Sequence, residues 1–245
     1  MKFISVRLHI WRNTHWEDFT VQVSSEAYVL DALEAASEQD KSLLFRHACH
    51  HASCGSCGLR INGRERLACI TPVKDVINTL GMIRLEPLRN FPLIGDLLVD
   101  FKPFMQQLDR IDLPLRRSAE LLSKEINIDS FKRVFNKAAL DIPEISPGFN
   151  RLENCIECGL CVSACPIAGT DILYSGPACL AAVGRVLSEP RHRSVMDIIE
   201  LVDNEHGLWR CHAAFECSEV CPAGVDPARE ILALRSHILR NNFKS

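Results

Sequence analysis

The sequence contains no long apolar run, and this absence excludes several classes of protein. Its longest stretch poor in charge, residues 159–184, is interrupted by Cys165-Pro166, Pro177 and Gly184, so we expect no membrane span. The N-terminus has no unbroken apolar segment of the kind that marks a secretory signal. The chain has 28 basic and 31 acidic residues, which gives it no overall basic character for binding nucleic acid.

The sequence also lacks the short motifs that bind nucleotides or activate a substrate. It has no G-x-G-x-x-G after a strand, no P-loop and no G-x-S-x-G. We therefore expect neither a flavin dinucleotide nor a catalytic residue in this chain. Any two-electron chemistry would then be carried out by a partner.

Cysteine, by contrast, is abundant, with 12 residues in a chain of 245. Disulfide frameworks occur mainly in short secreted chains, and this chain shows no export signal, so we expect reduced thiols that bind metal. Eleven of the cysteines fall into three spaced groups. The remaining one, Cys179, stands among small apolar residues and is predicted to be a buried side chain without a ligand role.

The first group has the C-x4-C-x2-C spacing of plant-type [2Fe-2S] sites, with a fourth cysteine beyond it. Its members are Cys49, Cys54, Cys57 and Cys69. A loop that curls around two irons needs backbone freedom, which Gly55 and Gly58 supply, and the fourth thiolate is expected from a neighbouring strand. A zinc site is the alternative, but zinc favours two C-x2-C knuckles and only one is present.

The second group has the C-x2-C-x2-C-x3-C-P spacing of bacterial ferredoxins, in which the fourth cysteine binds the other of two clusters. Its members are Cys155, Cys158, Cys161 and Cys165, followed by Pro166. A second cluster therefore requires cysteines downstream. The third group supplies them as Cys211, Cys217 and Cys221-Pro222.

Ala214 occupies the one position of the third group where the same spacing would put a cysteine. Crossed ligation then predicts a complete [4Fe-4S] set of Cys155, Cys158, Cys161 and Cys221. It leaves a three-thiolate set of Cys165, Cys211 and Cys217, which suits a [3Fe-4S] cluster. The alternative is a fourth iron held by Glu216 or by a water.

Hydrophobic periodicity predicts an α+β chain. Alternation over residues 4–10 and 19–23 predicts a hairpin, and Ser24 and Ser25 could cap a helix whose apolar face includes Val29 and Leu33. Asn62-Gly63 predicts a second hairpin, and residues 82–85 a further strand.

The second half is expected to be helical over residues 93–108, 115–140, 195–202 and 228–239, with a break at 141–148. We expect a domain boundary near residues 92–105, which divides the chain into 1–100 and 101–245.

Further segments of the chain carry a resemblance to a known family. They are Arg46-His-Ala-Cys49, Cys54-Gly-Ser-Cys57-Gly, Leu67-Ala-Cys69, residues 90–100, Gly176-Pro-Ala178 and His206-Gly-Leu-Trp-Arg-Cys211. With the cysteines, they make nearly the whole chain resemble the iron-sulfur subunit of succinate dehydrogenase and fumarate reductase (succinate:quinone oxidoreductase).

This resemblance implies an N-terminal plant-ferredoxin-like β-grasp domain and an all-α two-cluster ferredoxin domain. It also implies electron transport, as in the tricarboxylic acid cycle, on the cytoplasmic face of the inner (plasma) membrane. The [2Fe-2S] cluster would face a flavoprotein subunit with covalent FAD and the dicarboxylate site. The [3Fe-4S] cluster would face a membrane anchor and a quinone.

The resemblance implies a quinone pocket lined by Pro166 and His212. Arg235 matches a position where family members commonly carry a Lys near the quinone, although it could instead pair with an anchor carboxylate or a lipid phosphate. Ubiquinone-linked members carry a Trp shortly after the Cys-Pro, which is absent here, so menaquinone is favoured.

His50, followed by His51, stands where the family usually has Arg or Lys. The loop is either simply solvated or, if an imidazole is protonated, its cluster has a higher reduction potential.

Two other functions remain to be distinguished. An iron-sulfur subunit of another flavin-dependent oxidoreductase with a non-quinone acceptor, such as a thiol-linked fumarate reductase, would contain similar clusters. Such relatives often append cysteine-rich C-terminal domains, whereas this chain ends soon after its last cluster motif. A zinc-dependent binding module would be colourless, and the sequence lacks the basic face and interleaved aromatic residues of a nucleic-acid binder.

Overall fold

The N-terminal half is built on a long β-hairpin. In the computed structural model, which describes residues 2–111, 152–188 and 195–242, β1 (Phe3–Arg12) pairs antiparallel with β2 (His15–Ser24). Alternate side chains of β1 enter the core, and Val6, Leu8 and Ile10 are completely buried. The hairpin predicted from the period-two pattern is confirmed.

Three further strands complete a mixed five-stranded sheet. β3 (Gly58–Ile61) and β4 (Arg64–Leu67) form the second predicted hairpin, in which Asn62 and Gly63 both have positive φ, 50° and 82°. These angles suit a two-residue type I′ turn. β5 (Met82–Glu86) runs parallel to β1 and antiparallel to β3, so the strand order is β2-β1-β5-β3-β4.

Helix α1 (Val29–Gln39) packs its apolar face on this sheet and gives the half its β-grasp architecture. The predicted capping by Ser24 and Ser25 is wrong. Ser24 is still paired with Phe3 in the β1–β2 ladder, so its backbone is committed to the sheet. The helix begins instead at Val29, and the Asp31 carboxylate accepts the Tyr28 N–H at 2.8 Å. A short helix α2 (Val73–Val76) follows the second hairpin.

The helix predicted over residues 93–108 begins later than its apolar pattern suggested. Residues Leu93–Gly95 (β6) and Leu98–Val99 (β7) form a small two-stranded ladder, and helix α3 covers only Lys102–Arg110. Asp96, at a left-handed φ of 48°, makes the turn between the strands. Its side chain accepts the Leu44 N–H at 2.9 Å, which fixes this turn against the first half.

The second half consists of helices around a separate core, and no strand follows Val99 in the described ranges. The helices are α4 (Leu160–Ala164), α5 (Gly176–Ser188), α6 (Val195–Val202), α7 (Glu216–Glu219) and α8 (Pro227–Asn242), with 3-10 turns at Leu152–Asn154 and Leu208–Arg210. The predicted helices over 195–202 and 228–239 are confirmed. The predictions for 115–140 and 141–148 lie outside the described residues.

None of the helices in the described ranges has both the length and the apolar character needed to cross a lipid bilayer.

The two halves meet through aromatic packing and through polar contacts with α4. Phe91 and Phe101 pack against both cores, with ring centroids 4.9 Å apart. The Asn90 amide donates to the carbonyls of Val162 and Cys165 at 2.8 and 3.0 Å. These contacts orient the second cysteine group relative to the first half.

A buried hydroxyl supports the same interface. Ser163, which is fully buried on α4, donates to the Glu65 carboxylate on β4 and accepts the Arg89 N–H, both at 2.9 Å. Glu65 is 5% exposed, so water cannot replace these partners. Its charge is balanced by guanidinium groups of Arg60 and Arg89 at 3.4 and 3.5 Å.

We expect Ser163→Ala to destabilise the chain by about 1–3 kcal/mol, because the buried Glu65 carboxylate loses the hydroxyl that donates to it and the Arg89 N–H loses its acceptor. For a chain of this size, each kcal/mol lowers the melting temperature by about 2–4 °C. Differential scanning calorimetry of the cluster-loaded chain measures this shift. Ser5→Ala, on an exposed position of β1, is the matched control; an equal shift in both variants would contradict the role given to Ser163.

Candidate iron-sulfur centres

The first cysteine loop is shaped to hold Cys49 as a thiolate. Backbone N–H groups of His51, Ser53 and Cys54 point at its sulfur at 3.5, 3.3 and 3.4 Å. Hydrogen bonds from Ser53 and then His51 lower the pKa of Cys49 to about 5. Since metals bind the thiolate and not the thiol, the loop is prepared for a cation before any binds.

The other cysteines of this loop lie at two depths. Cys54 is exposed, whereas Cys57 and Cys69 are 3% and 4% exposed beneath it. The predicted position of Cys69 on a strand is wrong, because it lies in a 3-10 turn, Ala68–Ile70, directly after β4. The Ala68 N–H donates to the Cys57 carbonyl at 3.0 Å, which holds the turn against the loop. Burial raises the pKa of Cys57 to about 12.

A set of four sulfurs surrounds an apolar cavity between α4, α5 and the start of α8. The cysteines that line it are Cys155, Cys158, Cys161 and Cys221. Burial raises the pKa of Cys158 to about 11 and that of Cys161 well above its ordinary value. Cys221 therefore lies beside the cysteines of the second group, although in sequence it follows Cys217.

A set of three sulfurs surrounds a neighbouring cavity, which we call the third cavity. The cysteines that line it are Cys165, Cys211 and Cys217, and Ala214 lies on the same wall. Burial raises the pKa of Cys217 to about 11, and it also raises that of Cys165. The structure thus groups seven of the eight cysteines of the helical half as four and three, and only Cys179 lines neither cavity.

The two short helices explain why these groups are crossed. α4 has Cys161 in its first turn and Cys165 directly after its end. α7 packs against it, with Cys217 in its first turn and Cys221 two residues after its end. A helix rises about 1.5 Å per residue, so cysteines at opposite ends of one helix face different cavities. Each helix therefore contributes to both.

The loops before these helices follow the same backbone path. Residues two and four positions after Cys155 have positive φ, namely Glu157 at 53° and Gly159 at 74°. The residues at the same distances from Cys211, Ala213 and Phe215, have φ of 54° and 62°. The backbone thus gives Ala214 in the third group the position that Cys158 has in the second.

Sulfur spacing distinguishes these centres from zinc sites. Within the described ranges, which include all twelve cysteines, no three cysteine sulfurs lie within 4.8 Å of one another. Sulfurs around one tetrahedral zinc are about 3.8 Å apart, because each Zn–S bond is about 2.3 Å. A multi-iron cluster accommodates the wider spacing, and its positive irons offset the cost of thiolates in apolar cavities. The residues present therefore fit iron-sulfur clusters.

Comparisons with known proteins agree with this geometry. The family described as a 2Fe-2S iron-sulfur cluster binding domain matches residues 7–106, and that described as a 4Fe-4S dicluster domain matches residues 151–225. The fumarate reductase iron-sulfur subunit of Mycobacterium tuberculosis is 35% identical over 92% of this chain and 88% of its own length. The chain belongs to the family of fumarate reductase and succinate dehydrogenase iron-sulfur subunits.

Other members of this family are similar over the same extent. The fumarate reductase iron-sulfur subunit of Haemophilus influenzae is 32% identical over 89% of this chain and 84% of its own length. The succinate dehydrogenase iron-sulfur subunit of Coxiella burnetii is 29% identical over 94% and 92%. Among solved structures, a chain of the Mycobacterium smegmatis Sdh1 complex has the same fold, with a TM-score of 0.74 at 22% identity, over 99% of this chain and 98% of that one.

The residues predicted for a quinone pocket are divided by the structure. Pro166 and His212 line the same cavity as Cys165, Cys211 and Cys217. Arg235, on α8, is not among the residues that line it. Its guanidinium donates to the carbonyls of Leu208, at 2.8 Å from Nε, and of Cys211, at 2.6 Å. It also lies 5.6 Å from the Trp209 ring centroid.

We expect Arg235→Leu to disturb the cysteines of the third cavity, because the carbonyls of Leu208 and Cys211 lose the cation that holds their turn. The electron paramagnetic resonance signal of the [3Fe-4S] cluster expected at these cysteines should weaken or broaden, and that of the [2Fe-2S] cluster should stay unchanged. Arg235→Lys, which keeps the charge but not the forked donor geometry, should restore the signal only in part. An unchanged three-iron spectrum combined with slower quinone turnover would assign Arg235 to the quinone instead.

Two residues that contact the cysteine sets, Tyr174 and Gly55, are not indicated by the spacing of the cysteines. Tyr174 is 3% exposed and lines the third cavity; burial, and then the negative charge of Cys211, raise its pKa well above its ordinary value. Its hydroxyl is thus a protonated donor beside a predicted ligand. Gly55 packs on the second group: a Cβ added there would lie 2.7 Å from the Cβ of Cys158. Cys179 is buried, as predicted, and its sulfur lies 3.7 Å from the Gln107 carbonyl.

Proposed function

We propose that this subunit carries single electrons between a flavoprotein subunit with covalent FAD, which oxidises succinate or reduces fumarate, and a quinone in the membrane. The observation that carries the proposal is the convergence of the eleven grouped cysteines on three adjacent centres. Iron-sulfur clusters bound there would supply one-electron redox chemistry, for which no catalytic side chain is needed.

The proposed ligand sets follow the grouping of the sulfurs. They are Cys49, Cys54, Cys57 and Cys69 for a [2Fe-2S] cluster, Cys155, Cys158, Cys161 and Cys221 for a [4Fe-4S] cluster, and Cys165, Cys211 and Cys217 for a [3Fe-4S] cluster. The amide groups around Cys49 support the first set. The two lined cavities support the others, and the shared backbone path of the two loops supports a missing fourth thiolate at Ala214.

The contacts between centres support a linear order. Gly55, in the first loop, packs on Cys158, and its φ of 69° and lack of a Cβ permit that close approach. Helix α4 then joins the second centre to the third through Cys161 and Cys165. We also infer a domain boundary after residue 100, because Phe104 of α3 belongs to the core of the helical half.

The ends of this order suggest which partner docks where. The exposed Cys54 would face the flavoprotein subunit. At the other end, Ile172 and Leu173 are 92% and 63% exposed and follow the third centre's Pro166 closely in sequence, which suits contact with a membrane anchor. A quinone, menaquinone by the resemblance, would lie near Pro166 and His212. The subunit would then sit peripherally on the cytoplasmic face of the inner membrane.

Purification of the native complex through an affinity tag on this chain tests the proposal. We expect a subunit with covalently bound FAD and at least one membrane subunit to copurify. Succinate should reduce the iron-sulfur centres, and menaquinone analogues should reoxidise them. Comparison of succinate oxidation with a soluble dye and with a quinone isolates the second half of the path.

A complex without a flavoprotein would contradict the proposal. So would a complex that reduces fumarate with dithiols but not with quinols, which is the result expected of a thiol-linked fumarate reductase. The family membership of the chain does not favour that alternative.

A further inference from the structure

Three side chains outside the cysteine sets converge beside the first loop. Glu34 extends from α1, and His47 and His50 flank Cys49. The Nδ1 of His47 lies 3.3 Å from the Nε2 of His50, and each of these nitrogens lies 3.4 Å from Oε1 of Glu34. In the described ranges, these are the only three His, Cys, Asp or Glu side chains whose donor atoms all lie within 4.8 Å of one another.

The triangle formed by Glu34 Oε1, His47 Nδ1 and His50 Nε2 has the dimensions of one face of a tetrahedral zinc site. Zn–N and Zn–O bonds are about 2.0–2.2 Å, so tetrahedral ligands lie about 3.3–3.5 Å apart. The observed separations match this range and are longer than the usual hydrogen bond of about 2.9 Å. Two imidazoles and a single carboxylate suit zinc and its neighbours in the transition series, whereas Mg²⁺ and Ca²⁺ prefer sets of oxygens.

Local structure holds the two imidazoles in place. The His47 ring stacks on Phe45, with centroids 5.2 Å apart and planes at 22°. His50 has a left-handed φ of 61°, a conformation that costs energy for a residue with a Cβ. The three side chains are between 37% and 44% exposed, so an ion can enter and a fourth coordination position faces solvent.

We propose that Glu34, His47 and His50 bind one divalent transition-metal ion of the zinc class, with water as its fourth ligand. The ion joins helix α1 to the loop that carries Cys49. This site uses no cysteine, so it exists independently of the cluster ligand sets proposed above.

The test is equilibrium dialysis of the full chain, with its iron content verified, against buffered Zn²⁺, followed by elemental analysis. The chain should take up one saturable Zn²⁺ without losing iron. Glu34→Gln, His47→Gln and His50→Asn should each weaken uptake at least tenfold. Asn is chosen at position 50 because it tolerates a left-handed φ. His51→Gln is the matched control, since the His51 ring lies 3.0 Å from the Ser53 hydroxyl and outside the triangle.

X-ray absorption at the zinc edge gives an independent readout that does not depend on any variant. The first shell should contain only nitrogen and oxygen at about 2.0–2.1 Å, with imidazole scattering beyond it. Sulfur at about 2.3 Å, or iron release that matches zinc uptake, would put the ion on cysteines and overturn the proposal. It would also be overturned if the iron-loaded chain took up no zinc, or if His51→Gln lost as much as the triangle variants.

Discussion

Replacement of Cys221 by Ser is expected to destroy the proposed [4Fe-4S] centre and spare the proposed [3Fe-4S] centre, although Cys221 stands four residues after Cys217 in sequence. The reason is spatial: Cys221 lines the cavity of Cys155, Cys158 and Cys161. A serine hydroxyl is a much poorer ligand for iron than a thiolate. The variant should lose most of its four-iron content and keep the three-iron electron paramagnetic resonance signal of the oxidised protein.

Cys165→Ser gives the reciprocal result. Cys165 is the last cysteine of the C-x2-C-x2-C-x3-C run, yet it lines the cavity of Cys211 and Cys217, so the three-iron signal should be lost. Mössbauer spectroscopy with iron quantification measures both variants on one scale. Cys179→Ser is the control, because it makes the same atom exchange at a buried cysteine outside both cavities and should leave all three centres intact. If each ligand variant damaged the cluster of its sequence neighbours, the ligation would not be crossed.

Replacement of Ala214 by Cys is expected to convert the proposed three-iron centre into a four-iron centre. The loops after Cys155 and Cys211 share left-handed residues at the same two positions, so a cysteine at position 214 would present its sulfur as Cys158 does. Ala214 already lines the third cavity. With the fourth thiolate supplied, the three-iron signal should fall at least about tenfold, and the iron content should rise by one per chain.

Two variants separate this explanation from recruitment of another ligand. Ala214→Ser is nearly the same size as the cysteine variant but lacks the thiol, so it should retain three irons. Glu216 lines the same cavity, and Glu216→Gln should also leave the signal unchanged if its carboxylate holds no iron. Native protein with two four-iron clusters, or a conversion by Glu216→Gln from four irons to three, would contradict the role of Ala214.

The sequence alone predicted most of the fold, because local patterns dominate in its regular elements. Alternation with one buried face determined β1, and Asn62-Gly63 determined the second hairpin, since few other residue pairs accept two positive φ angles. The predicted start of α1 is wrong because Ser24 pairs with Phe3 in the sheet, and Phe3 lies too far away in sequence for a local pattern to include it. The apolar pattern after Leu93 predicts a helix, because two short strands followed by a helix have a similar spacing of apolar residues. The turn at Asp96, which separates the two strands, has no signal in that pattern.

For the site, spacing predicts which cysteines share a cluster and that a fourth thiolate is missing at Ala214. It can do so because a loop that surrounds a cluster needs a minimum number of residues between its ligands. Only the tertiary structure decided what lies between the groups. Gly55 packs on Cys158, Ser163 meets Glu65 and Arg235 holds the carbonyl of Cys211. The convergence of Glu34 with His47 and His50 belongs to the same class. Each of these contacts joins residues far apart in the chain, and such pairs have no periodicity or fixed spacing, so only packing of the whole chain brings them together.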